Sequence, residues 1–239
     1  VKRKSLHRRP LAAARSETPV TKGEQTRSLI LETALELFST RGYEETTMRA
    51  IAEQAGVALG NTYHYFRSKE HLIQAFYSRV HELHAEAAKP ALERERALKG
   101  RLLGVMGVIL DNITPYHQFA GILFRTAADP GSPLNPFSPE SEHTRRESIE
   151  LFAEVVQGAK ARIPEDFAEE LPLLLWLYQM GVVLFWIHDS SPKQRKTRRL
   201  MEQTVEIIVR LITLASLPLM RPLRKSVLQL VTSLLEDEQ

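Results

Sequence analysis

Residues 47–66 read TMRAIAEQAGVALGNTYHYF. Two short helices separated by a tight turn fit this stretch. Thr46 and Thr47 offer side-chain oxygens that can cap a helix start. Met48, Ile51, Ala52 and Ala55 then recur at helical spacing. Gly56 ends that helix, and Ala55-Gly56-Val57-Ala58 forms the turn. A second helix runs from Gly60 to Phe66. It is too polar and aromatic for a core element, with Asn61, Tyr63, His64 and Tyr65 nearly consecutive. This is helix-turn-helix geometry. A helical hairpin inside an all-α core would share the spacing. The polarity of the second helix favours one that lies in the major groove of DNA, which is wide enough to admit it.

Working outward, the flanks are helical too. From Glu24 to Thr40 apolar residues fall at Ile30, Ala34, Leu37 and Phe38, one face of a helix. Gly42 stands where a left-handed stop is needed. Ser68 can cap a long fourth helix, Lys69 to about Ala88, ended by Pro90. Further helices are predicted over Arg101–Ile113, Tyr116–Ala127, Glu142–Arg162, Glu165–His188, Lys193–Leu217 and Pro222–Leu235. Gly100, Gly104 and Gly107 would let a neighbour approach the first of these closely. Four prolines mark 129–141 as a loop. No strand pattern of useful length appears. The fold class is all-α: a three-helix amino-terminal domain, then a larger helical one. The domain organisation expected is a flexible basic arm at 1–22, a helix-turn-helix domain at 23–70, a ligand-binding and dimerisation domain at 71–217, and a carboxy-terminal helix at 218–239.

Bulk properties narrow the function. The 239 residues are 43% hydrophobic and 26% charged, as in an ordinary soluble globular protein. Absence of cysteine excludes disulfides and thiolate metal sites. No signal-sequence pattern opens the chain, and a cytoplasmic location is expected. The net charge of +3 is uneven: eight Lys/Arg between Val1 and Arg27 face only Glu17 and Glu24. A basic arm on a neutral body suggests an anionic partner, nucleic acid first. The uncharged run 171–187 is at the lower edge of a membrane span. It holds Pro172, Gln179 and Gly181, and a helix buried inside a bundle explains it without a membrane.

Residues 27–72, RSLILETALELFSTRGYEETTMRAIAEQAGVALGNTYHYFRSKEHL, carry a resemblance. The marks are Ala34, Leu37 and Phe38; Gly42-Tyr43; Thr46-Thr47; Ile51-Ala52; Ala55-Gly56-Val57; Gly60; Tyr63; Phe66; Ser68-Lys69-Glu70; and Leu72. The stretch resembles the amino-terminal domain of tetracycline-repressor (TetR-type) transcription regulators. The resemblance implies DNA contacts at particular positions. Thr47 would hydrogen-bond a phosphate, as would Tyr63, Tyr65 and Lys69. Arg49, Leu59, Gly60, Asn61 and His64 would face base edges or the sugar-phosphate rim. Three residues depart from the pattern. Ala58 replaces a capping Ser, Leu59 a frequent Lys or Pro, and Thr62 a larger apolar residue.

A helix-turn-helix protein of this kind needs a two-fold partner. The candidates are Glu165–His188 and Lys193–Leu217, which with their copies would form a four-helix bundle. A small-molecule site is expected among the intervening helices. Its candidates are Tyr116, His117, Phe119, Leu123, Phe124, Phe152, Val156, Trp176, Tyr178, Gln179, Met180, Phe185 and His188. Aromatics at helical spacing also serve as plain core. The expected function is a DNA-binding repressor released by a small molecule, with operator DNA and a second copy as partners. A regulator without a ligand and a helical protein-interaction module are the alternatives. No enzyme, cofactor or metal is expected. The chain lacks a thiol, His81 and His84 lack the zincin spacing, and Glu165, Asp166, Glu169 and Glu170 gather where a helix start favours acids.

Overall fold

The computed structural model describes residues 21–226 and Gln229. The basic arm up to Val20, and the carboxy-terminal helix beyond Ser226 except Gln229, lie outside the described residues. Among the described residues the regular structure is helical, with no strand.

Helix α1 spans Lys22–Arg41 and starts earlier than the apolar spacing suggests. The cause is a reciprocal capping box. Thr21 Oγ1 accepts from the Glu24 N–H at 3.2 Å, and the Glu24 carboxylate accepts from the Thr21 N–H at 2.8 Å. Gly42 ends α1 at φ 95°, ψ 158°, so its φ is positive but it is not the left-handed helical stop expected. The helices α2 (Met48–Ala55) and α3 (Leu59–Tyr65) follow, then α4 (Lys69–Arg94). Pro90 does not end α4 as expected; the helix continues to Arg94.

The later helices are α5 (Leu98–Ile113), α6 (His117–Ala127), α7 (Glu142–Gln157), α8 (Glu165–Ala168), α9 (Leu171–His188) and α10 (Arg195–Ala215). Three sequence expectations change here. The single helix 165–188 is broken into α8 and α9, and Pro172 sits in the first turn of α9, where its missing N–H costs nothing. Helix α7 stops at Gln157 rather than at Arg162. Helix α10 starts at Arg195 because Lys193 and Gln194 take positive φ, 55° and 47°.

The chain groups into two compact units. One runs to Glu86 and takes in Asn112–Thr144; the other holds Ala87–Asp111 and continues from Arg145. In the first unit α6 joins the aromatic core of the amino-terminal helices. Phe119, buried, stacks on Phe38 with centroids 5.8 Å apart, and Phe76 meets both Phe119 and Tyr116 edge-on.

The second unit is organised around Arg101, which is only 4% exposed. Its guanidinium donates to the carbonyls of Leu92 and Glu95 at the end of α4, and to Glu154 (2.7 Å) and Val155 (2.9 Å) near the end of α7. One cation thereby satisfies carbonyls that two helix ends leave without partners. It also explains why the turn after Pro90 persists. A Cβ on Gly158 would lie 2.2 Å from this guanidinium, so α7 gives way to glycine there. Gly104 permits close approach, since a Cβ there would lie 2.6 Å from the Ala91 methyl. Gly107, expected to do the same, meets nothing within 4 Å.

Helix α9 is apolar and long enough to cross a membrane by composition. Here Leu171, Pro172, Leu175, Trp176, Gln179, Val182 and Trp186 are buried within the fold. Asp189 ties its end to α10. Its buried carboxylate accepts from the Ser191 N–H at 2.9 Å, and from the Thr197 N–H and hydroxyl at 2.8 Å each. Burial alone would raise this carboxyl; the bonds from Ser191 and Thr197 outweigh burial and hold it well below the usual carboxylate range.

A folded-state pKa below the unfolded one gives stability that is present above about pH 4 and lost as pH falls further. Asp189→Ala is therefore expected to cost about 1.5–3 kcal/mol at pH 7 in urea unfolding. That difference should shrink below about pH 4. A cost independent of pH would contradict the charged-cap account.

Candidate nucleic-acid interface

The interface is built from α2, the turn and α3. Thr47 caps α2, its Oγ1 accepting from the Ala50 N–H at 3.1 Å. Met48, Ile51 and Ala52 are the buried face of α2. Gly56 takes the left-handed conformation, φ 66° and ψ 29°, and its N–H closes onto Ala52 and Glu53. Val57 N–H then bonds Ala52 O at 3.0 Å, completing the stop. Ala58 precedes α3 in extended conformation and supplies no side-chain cap.

One residue of α3 is buried, and it is Thr62. Its hydroxyl donates back to Ala58 O at 3.3 Å, which lets a polar side chain occupy an apolar position. Gly60, Asn61, Tyr63 and His64 are exposed, as are Thr47 and Arg49 on α2. Tyr63 is 48% exposed. Leu59 is half-buried. A side chain on Gly60 would meet nothing within 4 Å, so α3 projects into open space there.

Two nominated residues are engaged otherwise. Tyr65 is half-buried, and its hydroxyl lies 3.4 Å from where a Cβ on Gly23 would stand, against the first turn of α1. Lys69 Nζ donates to the carbonyls of Tyr43 (2.7 Å) and Glu44 (3.4 Å) and sits 4.3 Å from the Tyr43 ring centroid. That leaves one ammonium N–H for a phosphate.

Sequence reading missed the network behind Lys69. Tyr43 is buried and donates its hydroxyl to Glu70 Oε1 at 2.8 Å. Burial, then the bond to the Glu70 carboxylate, push the Tyr43 hydroxyl up, so it stays protonated. Burial would raise Glu70, but bonds from Ser68, the backbone and Tyr43 hold it below its ordinary value. The paired motifs Gly42-Tyr43 and Ser68-Lys69-Glu70 were the available signal. Only contact between residues 27 apart in sequence gives them this meaning.

The ligand candidates divide between the units. Tyr116, His117, Phe119, Leu123 and Phe124 lie in the first; Phe119 and Leu123 are buried. Phe152, Val156, Trp176, Tyr178, Gln179, Met180, Phe185 and His188 lie in the second. Phe152, Val156, Trp176 and Gln179 are buried there, while Phe185 is 42% exposed and His188 is on the surface. Gln179 Oε1 is buried without a donor. Tyr178 bonds Thr204 and lines an apolar cleft of about 380 Å³ together with Leu171, Leu174, Ile208, Leu211 and Ile212.

The second unit also leaves an apolar surface. Leu177, Gly181, Leu184 and Phe185 are exposed on one face of α9, and Ile207, Leu211 and Leu214 on α10.

A helix-turn-helix with an outward second helix, in a chain whose described residues form helices and no strand, defines a class of DNA-binding regulator. Comparison with known proteins agrees. Residues 30–76 match the family model "Bacterial regulatory proteins, tetR family", and residues 101–232 match "Tetracyclin repressor-like, C-terminal domain". The chain belongs to the TetR family of bacterial regulatory proteins. It is similar to the HTH-type transcriptional regulator TtgR of Pseudomonas putida, 41% identical over 66 residues, 28% of this chain and 31% of that protein. The chain thus matches under a third of the length of this curated relative. Among solved structures it is similar to a TetR-family regulator from Syntrophomonas wolfei, with TM-score 0.64 and 15% identity, covering 79% of this chain and 96% of that one. It is also similar to FadR of Bacillus subtilis in complex with stearoyl-CoA, with TM-score 0.59 and 16% identity, covering 74% and 96%. At these identities the structural likeness shows the fold alone.

The turn gives a local test. Nothing crowds Gly56, so replacing it acts through backbone strain alone. Gly56→Ala is expected to cost about 1–2 kcal/mol in thermal or urea unfolding, and Gly56→Asn less. Equal stability of Gly56→Ala and the parent would contradict the left-handed turn.

Proposed function

We propose that the protein is a homodimeric repressor that binds operator DNA through α3 and is released by a small molecule held in its carboxy-terminal helices. The observation that carries the DNA reading is the outward face of α3: Asn61, Tyr63 and His64 exposed over a buried Thr62. A seven-residue helix of this polarity fits the major groove. In this reading Asn61 offers an amide suited to paired bonds with adenine, and His64, Leu59 and Gly60 flank it. The Tyr63 hydroxyl, Thr47, Arg49 and the remaining Lys69 N–H contact the backbone, which fixes register. Tyr65 steadies the helix from the side of α1.

Dimerisation through α9 and α10 is supported by their exposed apolar faces. Two-fold packing of these faces buries them and pairs the recognition helices for a symmetric operator. It also gives the apolar α9 a protein surface rather than a membrane to pack on. A DNA-binding role fits a cytoplasmic location. The repressor reading follows the family: a protein seated on an operator blocks access to it. The ligand reading rests on the second unit. Gln179 is a buried acceptor without a donor, among apolar and aromatic neighbours on α9, which suits one polar point in an otherwise apolar site. The similar FadR holds stearoyl-CoA, which shows that this fold can take a ligand.

Mobility-shift titration tests the DNA reading. Tyr63→Ala is expected to weaken binding roughly tenfold on every operator variant, as a lost backbone contact does. Asn61→Ala should cost about 1–3 kcal/mol and relax preference at one base pair. Leu184→Glu with Ile207→Glu should give a folded monomer in sedimentation that no longer shifts the operator. Unchanged binding by Tyr63→Ala and Asn61→Ala together would overturn the assignment of α3.

A further inference from the structure

The outward face of α3 has a centre, and Gly60 and His64 occupy it. At about 100° per residue, each lies roughly 160° around the helix from the buried Thr62, one to either side of the line opposite it. Asn61 and Tyr63 stand about 100° from Thr62, on opposite flanks. Burial agrees: Gly60, Asn61, Tyr63 and His64 are exposed, and Thr62 is fully buried. Residues four apart are neighbours along a helix. A helical side chain also leans back over the turn before its own Cα. The His64 side chain therefore leans over Gly60, where an added Cβ would meet nothing within 4 Å. No side chain at that position stands between the imidazole and whatever the face meets.

Tyr65 steadies the ring. The His64 and Tyr65 rings meet edge-on with centroids 5.3 Å apart, and Tyr65 itself lies against the first turn of α1. Among the described residues neither ring nitrogen of His64 has a hydrogen-bond partner. The rest of the helix sharpens the point. Helix α3 reads LGNTYHY, without Lys, Arg, Gln, Asp or Glu. The side chains that most often address guanine are thus missing from it. Guanine is the base that sets two acceptors side by side in the major groove, N7 and O6. Adenine N7 stands beside an amino donor, and thymine O4 beside a methyl. A lone imidazole N–H is therefore best met by guanine.

We propose that His64 selects guanine at one base pair of each half-site, donating a ring N–H to guanine N7 across the gap left by Gly60. This rests on the operator reading of α3 and deepens it: Asn61 addresses adenine from one flank, and His64 addresses guanine from the centre. Arg49, exposed on α2, is the rival donor.

The experiment begins with the operator recovered by selection from random duplexes with the full chain. Its guanines are replaced one symmetric pair at a time by 7-deazaguanine, which turns N7 into C–H and keeps both O6 and the base pairing. Each duplex is titrated with the full chain and with His64→Ala, His64→Gln, Arg49→Ala, Tyr63→Ala and Gly60→Leu. The full chain is expected to lose about five- to tenfold in affinity at one symmetric pair, the size of one or two hydrogen bonds. His64→Ala should bind the parent duplex about as weakly as the full chain binds that altered one, and should lose nothing further on it. His64→Gln keeps an N–H donor and should recover part of the sensitivity. Arg49→Ala and Tyr63→Ala should weaken every duplex alike and keep the sensitivity. Gly60→Leu should unfold no more easily than the parent but lose the sensitivity, because its side chain fills the gap beneath the imidazole. Full sensitivity in His64→Ala, or its loss in Arg49→Ala, would overturn the proposal and leave the α3 reading standing. A full chain indifferent to every replacement would do the same. Failure of the full chain to select any duplex would overturn both.

Discussion

A helix of seven residues cannot hold its own shape in water. Everything the protein is proposed to do on DNA depends on the packing that holds α3 in place. One buried side chain, Thr62, anchors it from within, and it must give its hydroxyl to Ala58 O to fit there. The left-handed Gly56 sets the angle at which α3 leaves α2. Phe66, buried directly behind it, fixes the exit toward α4. With so few anchors, Gly60, Asn61, Tyr63 and His64 face outward. A short, poorly anchored helix is a cost to stability and the source of the binding surface at once.

The support beneath α3 is unusually polar at its margins. Lys69, Tyr43 and Glu70 join the start of α4 to the loop after α1 by hydrogen bonds and a cation over a ring. In the second unit Arg101 does comparable work where α4 ends, with four carbonyls in place of a carboxylate. A buried guanidinium without its hydrogen bonds would be severely destabilising. Its four hydrogen bonds to carbonyls therefore restrict where the end of α4 can lie against α5 and α7. Helix α4 is thus pinned at both ends, by chemistry that differs at each.

Much of this was legible in the sequence because it is local. The helix-turn-helix, the Gly56 stop, the Thr47 cap and the outward set on α3 follow from residues within a few positions of one another. The all-α class follows from periodicity. What was not legible depends on distant partners. Pro90 fails to end α4 because Arg101 reaches the turn beyond it. Helix α7 stops early because Gly158 must admit the same guanidinium. Asp189 is a buried cap for Thr197, eight positions further on, and no local pattern marks it as one. Phe119, nominated for a ligand, is stacked on Phe38 in the core of the first unit. Tyr65 and Lys69 matched family positions in sequence, and only the folded chain reveals that both side chains are already held.

The central claim is that α3 lies in the major groove of a two-fold operator. Dimethyl sulfate protection on the bound duplex tests it most directly, because the reagent methylates guanine N7 in that groove. Two symmetric clusters of protected guanines are predicted on one face of the helix, their centres separated by one turn of about 10–10.5 base pairs or a whole multiple of it. Protection scattered without symmetry, or guanine N7 atoms fully reactive beneath a bound protein, would contradict it.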